Sequence, residues 1–175
     1  MNKSGREKLT KIIESEKGVN WWDADKFETF VHAQLPVTLS VVSLPPIYSK
    51  NYNCFVFTFG LEKDLDFLGG KNPVQQEFVK YLINKNILRT KDNFSAGDFI
   101  FYKNINGDIT HGGIIKDSKR VISKWMWGPI IIHDIWDVPT SFGDTVFFSL
   151  PLSPEIIKKE YETYKNSDVV IEHIS

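Results

Sequence analysis

The chain has one cysteine, no long apolar run and almost no net charge. A single cysteine among 175 residues excludes an internal disulfide, so folding does not depend on an oxidising compartment. No segment approaches the roughly 20 apolar residues that a membrane span requires. A formal net charge of −1 provides no basic excess for nucleic acid or for an anionic membrane. We therefore expect no nucleic-acid partner and no membrane span.

The first eight residues are charged and polar and have no apolar core of a secretory signal. We expect a cytoplasmic protein, and export by a dedicated secretion system that leaves no such signal stays open. The histidines have no metal-ligand spacing to one another or to the cysteine, so we expect neither a metal nor a cofactor. Nothing in the sequence indicates an oligomeric state.

The composition is that of a globular domain, with 42% apolar and 25% charged residues. We expect one domain over residues 1–175. Aromatic residues make up 14% of the chain, and five of them are tryptophans. Some of these rings belong in the core, but Trp125 and Trp127 are candidates for the wall of a substrate groove.

Helical periodicity is concentrated in the first half and at the end of the chain. Apolar residues recur on one side of residues 4–17 and of residues 23–34, where Asp23 is placed to cap the second helix. Residues 74–84 follow Pro73, which suits a first helical turn. Residues 154–165 form the last predicted helix.

A period-two pattern replaces the helical one after Gly97. Turn residues at 106–108 and 116–119 separate alternating segments, as in antiparallel hairpins. The candidate strands are 99–102, 109–115, 121–125, 130–135 and 145–150, with an earlier one at 38–44. Helices followed by an antiparallel meander predict an α+β fold.

Cys54 begins a segment that periodicity alone does not assign. Phe55 to Phe59 have strand propensity, yet we predict a buried helix that begins at Cys54. Amide groups at a helix N-terminus and a nearby imidazole lower a thiol pKa, and His111 is the candidate imidazole. Free cysteine is also among the most buried residue types, so a core role for Cys54 is the competing interpretation.

Three pieces occur in a fixed order: Cys54, the strand Gly97-Asp98-Phe99-Ile100-Phe101 and the strand His111-Gly112-Gly113-Ile114-Ile115. Over about residues 48–150 they resemble the NlpC-type and CHAP-type branches of the papain-like cysteine peptidase superfamily. The resemblance implies a cysteine-bearing helix packed on an antiparallel sheet of about five strands, and a peptide or amide substrate. Residues 47–150 would form this core, 1–46 a helical N-terminal extension, and 151–175 a C-terminal helix and tail.

The resemblance also implies a third polar residue that orients the imidazole from the next strand. By spacing this residue falls near Ser123. A two-residue turn would place His111 opposite Lys124, whereas a three-residue loop would place Ser123 opposite His111. The following hairpin would bring His133 beside Ser123. His133 is therefore the preferred third member, and Ser123 is the alternative.

The expected oxyanion hole combines the Cys54 backbone N–H with one donor from residues 47–53, where Tyr48, Asn51 and Asn53 are eligible. The Cys54 thiolate would attack an amide carbonyl, and His111 would move the proton from the thiol to the leaving group. Water would then resolve the acyl-enzyme. An acyltransferase that uses an amine or thiol at that step is one alternative, and a non-catalytic binding or inhibitory domain on the same scaffold is another.

Overall fold

Helices and an antiparallel sheet make up the fold, which confirms the predicted α+β class. A computed structural model describes residues 1–16, 19–47, 50–69 and 74–172. The helices are α1 (Lys3–Glu16), α2 (Val19–Trp22), α3 (Ala24–Lys26), α4 (Cys54–Thr58), α5 (Leu65–Leu68), α6 (Gln76–Asn84) and α7 (Pro154–Glu172). A π turn (Phe27–Val31) and two 3₁₀ turns (His32–Gln34 and Thr140–Phe142) complete them. Among the described helices, none combines the length and apolarity that crossing a membrane requires.

Within the described ranges seven strands form the sheet, rather than the five or so that we expected. They are β1 (Ser40–Ser43), β2 (Thr90–Lys91), β3 (Phe99–Lys103), β4 (Ile109–Ile115), β5 (Arg120–Lys124), β6 (Ile130–Asp134) and β7 (Thr145–Ser149). Their order across the sheet is β1-β6-β5-β4-β3-β7-β2. The predicted meander is β3 to β6, and β7 returns to pair with the outer side of β3. β1 confirms the strand predicted at 38–44, and β2 was not predicted; both are short and lie at the edges of the sheet.

The two faces of the sheet carry separate hydrophobic cores. On β3, Phe99 and Phe101 join the core formed with α4, α6 and α7, and we call this side the α4 face. Ile100 and Tyr102 join the core formed with α1, Trp21 and the π turn, and we call this side the α1 face. Because successive side chains of a strand point to opposite faces, neighbouring residues on β4 and β5 are divided between these two cores.

Most predicted helices are confirmed, with small changes at their ends. The helix predicted at 4–17 is α1, and the one predicted at 154–165 is α7, which continues to Glu172. Asp23 caps α3 by accepting from the Lys26 N–H at 3.0 Å, after which the helix changes to π and 3₁₀ turns. The helix predicted at 74–84 begins at Gln76, and Pro73 lies outside the described residues.

The register of the β4–β5 hairpin differs from both predicted registers. Ile114 pairs with Ile122, and Ile115 pairs with Val121. The Lys116 N–H donates to the Arg120 carbonyl at 2.8 Å, so the loop consists of residues 117–119. The three-residue loop that would place Ser123 opposite His111 consists of residues 116–118, one position earlier. Continuing this register places Gly112, not His111, opposite Lys124.

Candidate active site

Cys54 is the first residue of α4, as predicted. The Asn53 side-chain oxygen caps this helix by accepting from the N–H groups of Phe55 at 3.1 Å and Val56 at 3.0 Å. Phe55 and Val56 are buried on the α4 face. Burial and the cap therefore outweigh the strand propensity of this segment.

The Cys54 sulfur lies in a nearly closed environment. The residue is 7% exposed, and the N–H groups of Gly112, Cys54 and Phe55 lie against the sulfur. Burial raises the pKa of the thiol to about 11, because these N–H groups and the Lys124 charge lower it by less than desolvation raises it. The free protein therefore holds Cys54 as a thiol at neutral pH.

Gly112 allows β4 to approach α4 closely. A Cβ at this position would lie 2.9 Å from Thr58 Oγ1 and 3.3 Å from the ring of Phe101. The described pairing of β4 with β5 ends at Ile114 and Ile122, and two positions further along β4 the Gly112 N–H lies against the Cys54 sulfur.

Lys124 faces the same site from β5 and is fully buried. Its Nζ donates to the Gly128 carbonyl and lies 5.2 Å from the centre of the Tyr52 ring. Burial lowers the pKa of Lys124 to about 7, and a negative charge on Cys54 would raise it. Among the described residues, no salt bridge joins Lys124 to a carboxylate.

The turn after β5 holds the Lys124 amine in place. The indole N–H of Trp21 donates to the Trp125 carbonyl at 3.0 Å, and the Gly128 N–H donates to the same carbonyl at 2.9 Å. Asn51 donates to the Trp127 carbonyl at 2.6 Å, which ties the segment before Cys54 to this turn. The segment that leads to the Cys54 thiol and the turn that binds the Lys124 amine are therefore joined by a hydrogen bond.

His111 does not meet Cys54, contrary to expectation. His111 pairs with Tyr102, and Gly112 pairs with Phe101, so the imidazole points to the α1 face while Cys54 lies on the α4 face. The imidazole stacks on Phe142 with ring centres 3.9 Å apart. Burial holds the pKa of His111 well below its usual range. The sheet itself separates the two predicted partners.

The two candidates for the third member meet each other, but not the thiol. Ser123 Oγ and His133 Nε2 are 2.8 Å apart on the α1 face. His133 Nδ1 donates to the Asp134 carbonyl at 2.8 Å, so Nε2 accepts from the serine hydroxyl. The Trp125 indole N–H donates to the same hydroxyl at 3.0 Å. These contacts form a buried network behind the sheet.

The other predicted site residues divide as follows. Asn53, a predicted oxyanion donor, directs its side-chain amide to the Val74 carbonyl at 2.7 Å. Tyr48 lies outside the described residues. Trp125 is fully buried on the α1 face and cannot line a groove at Cys54. Trp127 is half-buried beside Trp22, with ring centres 6.0 Å apart, on the turn that holds Lys124.

Sequence reasoning missed Lys124 as a site residue. The sequence did contain a sign of its role. Val121 and Ser123 lie on one face of β5, and Trp125 continues this alternation just after the strand. Lys124 is left on the other face of an interior strand. A lysine on an interior strand is unusual, since lysine is almost never fully buried unless it is paired. What the sequence could not provide was the register that points this amine at Cys54.

The site therefore contains a thiol and an amine that are each biased towards the neutral form. Among the described residues, no group of three or more histidine, cysteine, aspartate or glutamate side chains is placed to hold a metal ion. Comparisons with protein-family models, with curated proteins and with solved structures find no match for this chain.

Proposed function

We propose that the chain is a cysteine hydrolase for amide or peptide bonds, with Cys54 as the nucleophile and Lys124 as its general base. One observation carries the proposal: a fully buried lysine faces the single thiol and has no carboxylate partner among the described residues. Burying an amine without a carboxylate partner lowers the stability of the fold. Groups with strongly shifted pKa values cluster at functional sites. A packing role would be met at lower cost by methionine or leucine.

The protonation states suit a base-assisted nucleophile. Near neutral pH a large fraction of Lys124 is the free amine, because its pKa is about 7, whereas the Cys54 thiol keeps its proton. A neutral amine can accept the thiol proton as the sulfur–carbon bond forms. The resulting ammonium and the developing negative charge stabilise each other in a site that excludes water.

The proposed reaction has two stages, acylation of Cys54 and hydrolysis of the acyl-enzyme. Attack of Cys54 on the amide carbonyl forms a tetrahedral intermediate, and the Lys124 ammonium returns the proton to the departing amine. Water next attacks the thioester, Lys124 accepts its proton, and the thiol and a carboxylic acid are released. The N–H groups of Cys54 and Gly112 are the candidate donors to the oxyanion.

The proposal retains part of the papain-like resemblance and changes the rest. It keeps a nucleophile at the start of a helix packed on an antiparallel sheet. It replaces the histidine of β4 with the lysine of β5, because the pleat of β4 turns His111 away from the thiol. A papain-like core over residues 47–150 is part of this proposal.

The test uses p-nitrophenyl acetate, a small activated ester that needs no substrate groove. Wild-type protein is expected to release a burst of p-nitrophenol as Cys54 is acylated, followed by slower turnover. Lys124→Met is expected to slow acylation by about 10²–10⁴-fold, the usual contribution of a general base. Mass spectrometry locates the acetyl group.

Three matched variants complete the experiment. Cys54→Ala is expected to abolish the burst, whereas Lys119→Met, which changes an exposed lysine of the same hairpin, is expected to leave it intact. His111→Phe keeps the ring stack on Phe142 and should acylate at the wild-type rate. Equal loss in His111→Phe and Lys124→Met, or a burst unaffected by Lys124→Met, contradicts the assignment of the base.

A non-catalytic binding domain is the second candidate, and the 7% exposure of Cys54 favours it. In that case wild-type protein gives no burst, and a small alkylating agent labels Cys54 equally slowly in wild type and in Lys124→Met. An acyltransferase would show the same burst as a hydrolase. It would differ by faster turnover when an amine or a thiol is added.

A further inference from the structure

A second buried polar cluster lies directly behind the site, on the α1 face. His111, Ser123 and His133 contribute to it from β4, β5 and β6, and we call these three side chains the histidine layer. Each is at most 1% exposed. Ser123 bridges His133 and the Trp125 indole, as described above, but His111 Nε2 has no hydrogen-bond partner among the described residues. A buried orphan nitrogen of this kind is rare and needs a physical reason.

The histidine layer and the thiol site share two strands. His111 immediately precedes Gly112, whose N–H lies against the Cys54 sulfur, and Ser123 immediately precedes Lys124. Because adjacent residues of a strand face opposite sides, a displacement of either strand moves both clusters. The described β4–β5 pairing ends at Ile114 and Ile122, and the strands stay in close contact beyond it, since a Cβ on Gly113 would lie 2.9 Å from the Ser123 Cβ.

The surroundings of the histidine layer compensate only in part for a positive charge, because burial lowers the His133 pKa by more than the Asp134 carbonyl and the Asp137 charge raise it. Asp137, whose charge raises the His133 pKa, is ion-paired with the amino group of Met1. The remaining ionisable neighbours are Tyr102, whose hydroxyl donates to the Ile135 carbonyl at 2.8 Å, and Arg6, which is paired with Asp144 and is itself a cation. On the other side of the sheet lies the Lys124 amine.

Protonation would also rearrange existing contacts. A second proton on His133 would make Nε2 a donor to Ser123, whose oxygen already accepts from Trp125, so the hydroxyl hydrogen would need a new acceptor. The charges of His111 and His133 would also repel each other. Consistent with this, burial lowers the pKa of His133 to about 4, and burial and the His133 charge lower that of His111 well below 6.5. In a state in which β4 and β5 part and water reaches the histidines, both imidazoles would bind protons more readily. The packed state therefore becomes less stable relative to that state as the pH falls through about 6.5 towards 4.

We propose that the histidine layer is an acid-sensitive switch for the thiol site: protonation of His111 and His133 parts β4 from β5 and admits solvent to Cys54. The switch deepens the proposed function, on which it rests only for the role of the released thiol.

The test is the reaction of Cys54 with 2,2′-dipyridyl disulfide, which modifies thiols in acid as well as at neutral pH. At each pH the rate is divided by the rate of free cysteine, so that only accessibility remains. Between about pH 7 and pH 5 the relative rate in the wild type is expected to rise about tenfold or more through local opening. Circular dichroism at each pH reports whether the fold is retained.

Variants separate the histidine layer from general acid effects. The double variant His111→Phe, His133→Asn cannot titrate and is expected to show a flat relative rate. Each single variant is expected to show part of the rise, which keeps the test available if the double variant does not fold. His32→Asn, a change to a half-exposed histidine outside the histidine layer, is the control and should keep the full rise.

A flat relative rate in the wild type overturns the switch, as does an equal rise in the double variant or a rise that coincides with global unfolding. The outcome is independent of the hydrolase assignment. Wild-type protein that is acylated by p-nitrophenyl acetate but shows no rise contradicts the switch alone. Protein that shows the rise without acylation contradicts the hydrolase alone.

Discussion

At the scale of single residues, two buried groups with opposite pKa shifts define the site. Burial favours the neutral form of both, so it raises the pKa of Cys54 and lowers that of Lys124. The contact that the sequence suggested, between Cys54 and His111, requires both side chains on one face. Only the register of β4 and β5 decides which of Gly112, His111, Ser123 and Lys124 share the face of the thiol.

The shift of Lys124 predicts a specific dependence of stability on pH. A base whose pKa is lowered by folding binds fewer protons in the native state, so the free energy of unfolding rises from about pH 7 upwards. Above about pH 9 the raised pKa of Cys54 opposes this rise, because the unfolded thiol ionises first. Between pH 7 and 9 the rise is about 2 kcal/mol.

Urea unfolding at several pH values measures this rise in the wild type and in Lys124→Met. We expect the variant to lose it, because methionine carries no proton to release. Lys119→Met, the exposed control, should retain it. Parallel pH profiles for wild type and Lys124→Met would mean that Lys124 titrates normally in the folded protein.

At the scale of elements, the sequence predicts whether a segment is a helix or a strand better than it predicts how the strands pair. The helix at Cys54 is predictable from Asn53, whose side chain caps it, although the phenylalanines that follow favour a strand. The strands β3 to β7 follow from alternation and turn residues. Their register depends on a shift of one position in the loop at residues 117–119, and alternation alone does not detect such a shift.

Asn53 is expected to be the main local support of α4. Asn53→Ala removes the cap and leaves the Val74 carbonyl without its donor, at a cost of about 2–4 kcal/mol. Asn53→Ser keeps a capping oxygen but does not reach Val74, so we expect an intermediate loss. Chemical denaturation gives both values, and equal losses in the two variants would show that the cap contributes nothing.

Gly112 is expected to set the distance between β4 and α4. Gly112→Ala places a methyl group 2.9 Å from Thr58 Oγ1, and overpacking of this kind costs about 1–3 kcal/mol. Removing that oxygen by Thr58→Ala makes room, so the alanine at position 112 should cost less in the Thr58→Ala background. A double-mutant cycle by urea unfolding measures the coupling, and strictly additive effects would contradict the close approach.

At the scale of the whole molecule, the sheet separates the Cys54 site from the histidine layer. Helices α4, α6 and α7 cover one face and α1 with the π turn covers the other, so each of β4 and β5 carries one cluster on each side. The α+β class, the helical ends of the chain and the central meander follow from the sequence. The division of Cys54, His111, Ser123 and Lys124 between the faces does not, because it depends on pairings between distant segments.

The most direct test of this account is the pKa of Lys124 in the native protein. Protein labelled with ¹³C at the lysine ε-carbon is titrated by nuclear magnetic resonance, and Lys124→Met assigns the signal. We expect one lysine to titrate near pH 7 in the folded protein and near its ordinary value of about 10.4 in urea, since only the complete fold buries it. If every lysine signal of the folded protein titrates above pH 10, the amine is exposed or paired, and the Cys54–Lys124 site does not exist.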